Sequence, residues 1–217
     1  MLMEERIREA GIVPVVKLEE IEKATSLAAA LRDGGINCAE VTFRAEKAEY
    51  VMDRIRSRFT DMLVGAGTVL SLQEAKRAVD GGAEFLVSPG FDERIVDFAL
   101  ANDVLPLPGC VTPTEIQYAI AKGLRAVKFF PAAQYGGLKT IKALAGPFAQ
   151  ARFMPTGGIS LENLAEYLQE KSVLACGGTF MVKDAFLLES DWEKVTDFSR
   201  QATEIVRKTR KQEDNEK

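Results

Sequence analysis

The sequence predicts an α/β protein built as a (β/α)8 TIM barrel with an extra N-terminal helix. Three observations support this prediction. Eight short apolar runs recur along the 217 residues, segments with helical spacing separate them, and capping residues or glycines mark the segment ends. Eight strand–helix units in roughly 200 residues fit a small barrel. A doubly wound sheet is the alternative, because periodicity alone does not require the sheet to close.

The apolar runs have the length and composition of buried parallel strands. Most of them are continuously apolar, as expected when helices cover both faces of a strand. The predicted strands comprise residues 12–17, 37–43, 62–67, 84–88, 104–109, 125–131, 152–157 and 172–178.

The intervening segments carry apolar residues at helical spacing. A first helix, residues 3–10, precedes the first strand, and we expect it to cap the bottom of the barrel. Three later apolar stripes consist of Ile21, Ala24, Leu27, Ala28 and Leu31, of Ala48, Val51, Met52 and Ile55, and of Leu161, Leu164 and Leu168.

Local signals predict where several helices begin and end. The sequences "SLQE" at 71–74, "TPTE" at 112–115 and "SDWE" at 190–193 each fit a capping box. Pro113 falls at the first helical position of the second of these. The pairs Gly34–Gly35 and Gly81–Gly82 indicate helix C-termini.

Composition limits the domain organisation and the kinds of partner. We expect one barrel domain over residues 1–207, followed by a charged tail, residues 208–217, that is flexible because it has no apolar residue. The net charge of −4 indicates neither a nucleic-acid partner nor an anionic membrane surface. No apolar run is long enough to span a bilayer, and the charged N-terminus is unlike a signal peptide, so a cytoplasmic location is expected.

The side chains available for catalysis are restricted, because the sequence has no histidine. Every Ser–His or Cys–His mechanism and every histidine-bound metal site is thereby excluded. Cys38, Cys110 and Cys176 are far apart and lack metal-ligand spacing. We interpret them as small buried thiols.

Lys128 is the first candidate for a functional residue, because it interrupts the apolar run "RAVKFFP". A buried ammonium is costly unless it is paired or neutralised, and a neutral lysine is a nucleophile. Alternation along the predicted strands directs Glu40 and Lys128 into the barrel, with Arg44 at the end of its strand. A structural salt bridge between Glu40 and either cation explains the same pattern, and spacing does not decide between the two.

Glycine-rich turns follow the seventh and eighth predicted strands. "PTGGIS" contains Gly157 and Gly158, and "CGGTF" contains Gly177 and Gly178. Paired glycines let backbone N–H groups approach an anion, and these two loops form the usual phosphate site of the fold. The turns therefore predict a site for a phosphate or a similar anion.

These residues together resemble a known family. The stretches "AEVTFRAEKA", "GAGTVLS", "SPG", "VKFFPA", "GPFAQARFMPTGGIS" and "VLACGGTF" are similar in type and order to the 2-keto-3-deoxy-6-phosphogluconate (KDPG) aldolases, over about residues 10 to 205. Members of that family have a (β/α)8 barrel, use a Schiff-base lysine without a metal, and usually form trimers.

The resemblance implies a role for each matching residue. Lys128 matches the Schiff-base lysine, and Glu40 matches the acid–base carboxylate. Arg44 and Thr68 match the groups that bind the pyruvoyl carboxylate. The positions matching those that bind substrate hydroxyls or phosphate are Thr156, Gly157, Gly158, Gly177, Gly178 and Thr179, the last standing where relatives often carry serine.

The resemblance implies a metal-independent class I aldolase, a carbon–carbon lyase that requires no cofactor. It would cleave KDPG to pyruvate and glyceraldehyde 3-phosphate, and also 4-hydroxy-2-oxoglutarate to pyruvate and glyoxylate. Its partners would be the small 2-keto-3-deoxy acid and two further copies in a homotrimer. Two rival functions remain: a phosphosugar isomerase or epimerase of the same fold, and a catalytically silent phosphosugar-binding protein.

Overall fold

Eight strands alternate with helices along the chain. The structure, a computed structural model, describes residues 3–215 and side chains as far as residue 211. Each predicted strand is present, although all eight are shorter than their apolar runs. The strands are Ile12–Val16 (β1), Cys38–Thr42 (β2), Leu63–Gly67 (β3), Phe85–Val87 (β4), Leu105–Leu107 (β5), Ala126–Phe129 (β6), Arg152–Pro155 (β7) and Cys176–Gly178 (β8).

The described helices are Met3–Ala10 (α1), Ala24–Asp33 (α2), Ala48–Arg58 (α3), Leu72–Asp80 (α4), Glu93–Ala101 (α5), Pro113–Ala121 (α6), Gly137–Ala145 (α7), Leu164–Leu168 (α8), Asp184–Glu189 (α9) and Trp192–Asn215 (α10), with a short 3-10 turn at Ile21–Lys23. Helix α1 precedes the first strand, α2–α8 lie between strands, and α9 and α10 follow the last one. The predicted apolar stripes are buried except at Ile21 and Leu161, which are partly buried and lie just before α2 and α8. Among the described helices, none is both long and apolar enough to cross a membrane.

The parallel strands close into a barrel. One curled sheet has the order β5-β4-β3-β2-β1-β8, and β6 and β7 form a second, two-stranded sheet. The two sheets meet at β5–β6, where the N–H of Lys128 donates to Pro108 O at 2.9 Å and its carbonyl accepts from the N–H of Cys110 at 2.9 Å. They meet again at β7–β8, where the N–H of Leu174 donates to Phe153 O at 2.8 Å. Every strand therefore has two neighbours, which confirms the barrel and excludes the doubly wound sheet.

Helix α1 packs at the N-terminal ends of the strands, as predicted for a bottom cap. Its Ile7 is fully buried. Arg6 donates to the carboxylate of Glu84 at 2.7 Å, and Arg56 of α3 donates to the other oxygen of the same carboxylate. Glu84 directly precedes β4, so this ion-pair cluster joins α1 and α3 to the end of the barrel opposite the glycine-rich turns.

Two of the three predicted capping boxes are confirmed, and one is displaced. Ser71 and Thr112 accept hydrogen bonds from the N–H groups of Glu74 and Glu115, and both boxes are complete. The predicted box at residues 190–193 is wrong by one residue. Ser190 has φ 56° and ends α9, and Asp191 accepts from the N–H of Lys194 at 3.1 Å to cap α10. Serine and aspartate are both good caps, and the end of α9 decides which of them is used.

The C-terminal segment extends the last helix. Helix α10 continues to Asn215 without a break at the predicted domain boundary after residue 207, and Thr209 is buried. Residues 216–217 of the predicted tail lie outside the described residues. The flexibility of the segment stays a prediction.

The three cysteines are free thiols, and all are buried. Burial raises the pKa of both the Cys38 and the Cys110 thiol to about 12, and it raises the pKa of the Cys176 thiol as well. Thiolate, and not thiol, is the reactive species. These cysteines therefore have the environment of inert structural residues.

We expect the native protein to resist thiol reagents at pH 8, because each of its three cysteines is buried with a raised pKa. Titration with a chromogenic disulfide should detect no fast thiol in the folded protein and three after unfolding in guanidinium chloride. A stoichiometric reaction of one thiol within seconds in the native protein would contradict this assignment.

Candidate active site

A cavity of about 270 Å³ opens at the C-terminal ends of the strands. This is the end of a (β/α)8 barrel at which active sites lie. Nine of the ten residues predicted for the site line it, and the tenth, Glu40, lies directly beneath. The cavity is lined by Val15, Arg44, Thr68, Pro89, Lys128, Phe130, Thr156, Gly157, Gly158, Ile159, Gly177, Gly178 and Thr179.

Lys128 and Glu40 form an ion pair inside the barrel. Their Nζ and Oε1 atoms are 3.5 Å apart, and their side chains are 6% and 0% exposed. This separation exceeds the roughly 2.7–2.9 Å of a charge-assisted hydrogen bond. Neither carboxyl oxygen of Glu40 has a hydrogen-bond partner among the described side chains and backbone. A structural salt bridge of this depth needs its lone pairs satisfied to offset desolvation, so the geometry favours a functional pair.

Two glycines provide the volume that the polar side chains occupy. A Cβ atom added at Gly67 on β3 would lie 2.2 Å from Oε1 of Glu40. A Cβ atom added at Gly177 on β8 would lie 2.3 Å from the hydroxyl of Thr156. Any side chain at either position would displace a polar group of the site. Glycine is therefore required at Gly67 and Gly177 because the barrel interior has no room there for a side chain.

Arg44 and Thr68 lie at the rim of the cavity. Arg44 is exposed, and within residues 3–211 no hydrogen bond or ion pair engages its guanidinium. Its fork of donors is therefore free to bind a carboxylate. Thr68 has φ 55°, a left-handed conformation that is strained for a β-branched residue by about 1–3 kcal/mol. Such strain is concentrated at ligand sites, which favours a binding role for Thr68 over a simple turn.

The turn after β7 presents backbone donors to the cavity. Gly157 and Gly158 have φ +93° and +83°, and no acceptor among the described residues pairs with either N–H. The carbonyls of Thr156 and Gly157 accept hydrogen bonds from the N–H groups of Ala132 and Ala133 at 2.8 and 3.1 Å. These bonds hold the turn against the loop after β6. The two free N–H groups form a concave donor pair of the kind that binds anions.

The helices that follow the two glycine pairs contribute little to an anion site. Helices α8 and α9 have 5 and 6 residues and begin several residues after these glycines. A helix this short and this distant adds little dipole at the cavity. The second glycine pair is not a turn as predicted, because Gly177 and Gly178 lie within β8 and pair with β1. The donors for an anion are therefore the free amides of Gly157 and Gly158, with the hydroxyl of Thr179 also lining the cavity.

Four lining residues did not stand out in the sequence: Val15, Pro89, Phe130 and Ile159. Phe130 is 38% exposed, and its ring centroid is 5.2 Å from Nζ of Lys128. Alternation along the predicted strand, residues 125–131, puts Phe130 on the same face as Lys128, so the sequence did contain a signal for it. Pro89 belongs to the "SPG" turn, to which no chemistry was assigned, and nothing in its local sequence distinguishes it from an ordinary turn residue.

The described part of the chain contains no group of three or more cysteines, aspartates or glutamates placed to hold a metal ion. Lys17, at the end of β1, is exposed and lies 3.5 Å from Glu19, with which it forms a surface ion pair. It is absent from the cavity lining. The chemistry that the cavity offers is thus one buried amine, one carboxylate, a free guanidinium and a set of backbone donors.

Comparison with known proteins agrees with this geometry. Residues 3–198 match the family described as KDPG and KHG aldolase. The chain is 47% identical to the 2-dehydro-3-deoxy-phosphogluconate aldolase of Treponema pallidum, over 93% of this chain and 95% of that protein. It is 40% identical to the KHG/KDPG aldolase of Escherichia coli K12, over 89% of this chain and 91% of that protein.

A solved structure is similar over almost the whole fold. It is the KDPG aldolase of Legionella pneumophila, with pyruvate captured at low pH as a covalent carbinolamine intermediate. Its TM-score to this chain is 0.88 at 33% identity, and the match covers 92% of this chain and 98% of the other.

Proposed function

The chain belongs to the KDPG and KHG aldolase family, and from that premise we propose that it cleaves KDPG to pyruvate and glyceraldehyde 3-phosphate. The observation that carries this proposal is the amine of Lys128, buried 3.5 Å from the carboxylate of Glu40 at the floor of the cavity. A phosphosugar isomerase or epimerase needs only a base and an electrophilic group to move a proton at one carbon, and it needs no amine that adds to the substrate. A buried amine that can add to a ketone is the requirement of a Schiff-base aldolase.

We propose that Lys128 is the nucleophile. Its ammonium first gives up a proton, for which Glu40 is the adjacent acceptor. The amine then attacks the C2 ketone of the substrate, and loss of water from the carbinolamine yields an iminium ion. The carbinolamine captured in the Legionella pneumophila relative supports this step. Arg44 and Thr68 at the rim would bind the substrate carboxylate and so present C2 to the amine.

Glu40 is then the acid–base group for carbon–carbon cleavage. Glu40 takes the proton of the C4 hydroxyl through a water molecule, the C3–C4 bond breaks, and its electron pair moves through C3 and C2 onto the iminium nitrogen. The aldehyde departs as glyceraldehyde 3-phosphate, and the remaining enamine takes a proton at C3. Hydrolysis of the resulting imine releases pyruvate and restores the amine. One carboxylate serves all these steps because each proton it accepts is later returned.

The iminium supplies the electron sink in this scheme, so we propose that the reaction needs no metal ion. The phosphate would bind at the free N–H groups of Gly157 and Gly158, with Thr156, Gly177, Gly178 and Thr179 completing the cradle and binding the substrate hydroxyls. The Escherichia coli relative is named a KHG/KDPG aldolase, in which KHG denotes 4-hydroxy-2-oxoglutarate. This name supports that compound as a second substrate, cleaved to pyruvate and glyoxylate.

We also propose that the chain forms a homotrimer in the cytoplasm. The trimer follows from the usual assembly of the family. The location is supported by three free buried cysteines, which are typical of a reducing compartment.

Reduction with borohydride in the presence of pyruvate tests the nucleophile. We expect one reduced pyruvyl group per chain, located by peptide mapping on Lys128, because only a Schiff base is trapped. Lys128→Met should abolish labelling. Lys17→Met is the matched control, since Lys17 also ends near the top of the barrel but is exposed and paired with Glu19. Label on any other lysine would contradict the assignment, and loss of activity with a chelator would contradict metal independence.

Glu40→Gln tests the acid–base group while keeping the shape of the side chain. We expect cleavage of KDPG to slow by about 10²–10⁴-fold, the usual contribution of a positioned acid or base. Pyruvate should still be trapped on Lys128, although more slowly. Cleavage near the wild-type rate in a variant with an unchanged unfolding temperature would show that Glu40 is structural.

The phosphate cradle is best tested at Thr179, because side chains at the glycines would be confounded. A Cβ at Gly158 would lie 2.5 Å from the Cβ of Ala133, so any variant there disturbs the fold. Thr179 is exposed and lines the cavity. We therefore compare Thr179→Asp with Thr179→Asn, which differ mainly in one negative charge.

The added carboxylate should repel the substrate phosphate, since the two charges would share one small cavity. We expect KM for KDPG to be at least about tenfold higher in the aspartate variant than in the asparagine variant, with the difference reduced at high salt. Pyruvate has no phosphate, so its trapping should be equal in the two variants. Equal KM values for KDPG would place the phosphate elsewhere.

A further inference from the structure

Thr42 is a buried hydroxyl that the mechanism above does not use. Its side chain is 0% exposed at the C-terminal end of β2, and its Oγ1 has no hydrogen-bond partner within residues 3–211. Polar atoms buried to this degree are nearly always hydrogen-bonded in folded proteins, and an orphaned one requires an explanation.

The position of Thr42 relates it to Glu40. The two residues are separated by one position on β2, so both side chains point into the barrel. In the strand register Glu40 lies opposite Gly65, and Thr42 lies opposite Gly67. Nevertheless, Oε1 of Glu40 is 2.2 Å from the place where a Cβ of Gly67 would be. The carboxylate therefore extends toward the cavity, to the level of Thr42.

At that level three buried polar atoms have no partner among the described residues: both carboxyl oxygens of Glu40 and Oγ1 of Thr42. A buried water molecule commonly satisfies such groups when two to four of them converge. A threonine hydroxyl suits this arrangement because it both donates and accepts, whereas a carboxylate only accepts.

Resting on the proposed function, in which Glu40 exchanges protons with the substrate through a water molecule, we propose that Thr42 is a positioning residue whose hydroxyl holds that water against the carboxylate. During cleavage the water gives one proton to the carboxylate and receives the proton of the C4 hydroxyl. During formation of pyruvate the protons move in reverse, to C3 of the enamine. The water is regenerated in both directions, and no further reactant is required.

Thr42→Val removes the hydroxyl and keeps the branched shape, and Thr42→Ser keeps the hydroxyl. Ser199→Ala is the matched control, because the Ser199 hydroxyl is equally buried and also lacks a partner within the described residues, but it lies at the contact of α10 with Gly34, outside the cavity. The diagnostic measurement is the exchange of pyruvate methyl protons in deuterium oxide, followed by NMR. It reports proton transfer without carbon–carbon cleavage.

We expect Thr42→Val to slow both methyl exchange and kcat for KDPG by about 10- to 100-fold, the scale of effect for a misplaced catalytic group. KM and the extent of borohydride trapping on Lys128 should change little. The substrate carboxylate is bound by Arg44 and Thr68, and the Schiff base forms on Lys128, and the substitution changes none of these residues. Thr42→Ser should retain most of both rates, and Ser199→Ala should match the wild type. If the valine variant does not fold, Thr42→Cys, whose thiol is a weak hydrogen-bonding group, must show the same loss.

Wild-type exchange rates in a folded valine variant would overturn the inference, as would equal losses in the valine and serine variants, which would indicate packing and not the hydroxyl. A wild-type protein that neither traps pyruvate nor exchanges its methyl protons would instead overturn the proposed function, and this inference with it. The two failures are therefore distinguishable.

Discussion

An amine and a carboxylate that lie 3.5 Å apart, away from bulk water, are the constraint on which the rest of this structure depends. Two opposite charges in such a place lose hydration, and their attraction compensates only if the remaining polar atoms are satisfied. In the described residues the carboxyl oxygens of Glu40 are not satisfied by the protein. Maintaining the pair therefore costs stability, which the surrounding apolar barrel has to supply. A costly pair of this kind is typical of a functional site.

Small residues around the pair are as necessary as the charged ones. Gly67 and Gly177 leave room for Glu40 and Thr156, and Gly65 leaves room for the ring of Phe85, which a Cβ would meet at 2.4 Å. The lower barrel is filled by large apolar side chains such as this phenylalanine, whereas the upper barrel keeps space for polar groups. On β3 alone, Gly65 accommodates an apolar ring of the core and Gly67, two residues later, accommodates a carboxylate of the site.

Much of the fold and site was predictable from sequence because the relevant signals are local. Apolar runs, capping boxes and strand alternation predicted all eight strands and directed Glu40 and Lys128 into one interior. Chain closure was not predictable from periodicity, since it depends on hydrogen bonds between distant strands. The displaced cap at Asp191 depends on where the preceding helix ends. Thr42 could not be singled out from the sequence, because an unpartnered hydroxyl is a property of three-dimensional packing.

The closure of the barrel has a consequence for the site. Glu40 belongs to the six-stranded sheet and Lys128 to the two-stranded one, so the pair spans two separately bonded units. The main chain of Lys128 itself supplies two of the hydrogen bonds that join them. The backbone of Lys128 thus joins the two sheets by hydrogen bonds, while its side chain extends into the barrel interior. The distance between the amine of Lys128 and the carboxylate of Glu40 therefore depends on how the two sheets are aligned. A shift of one sheet relative to the other at the β5–β6 contact would change that distance without breaking a hydrogen bond within either sheet.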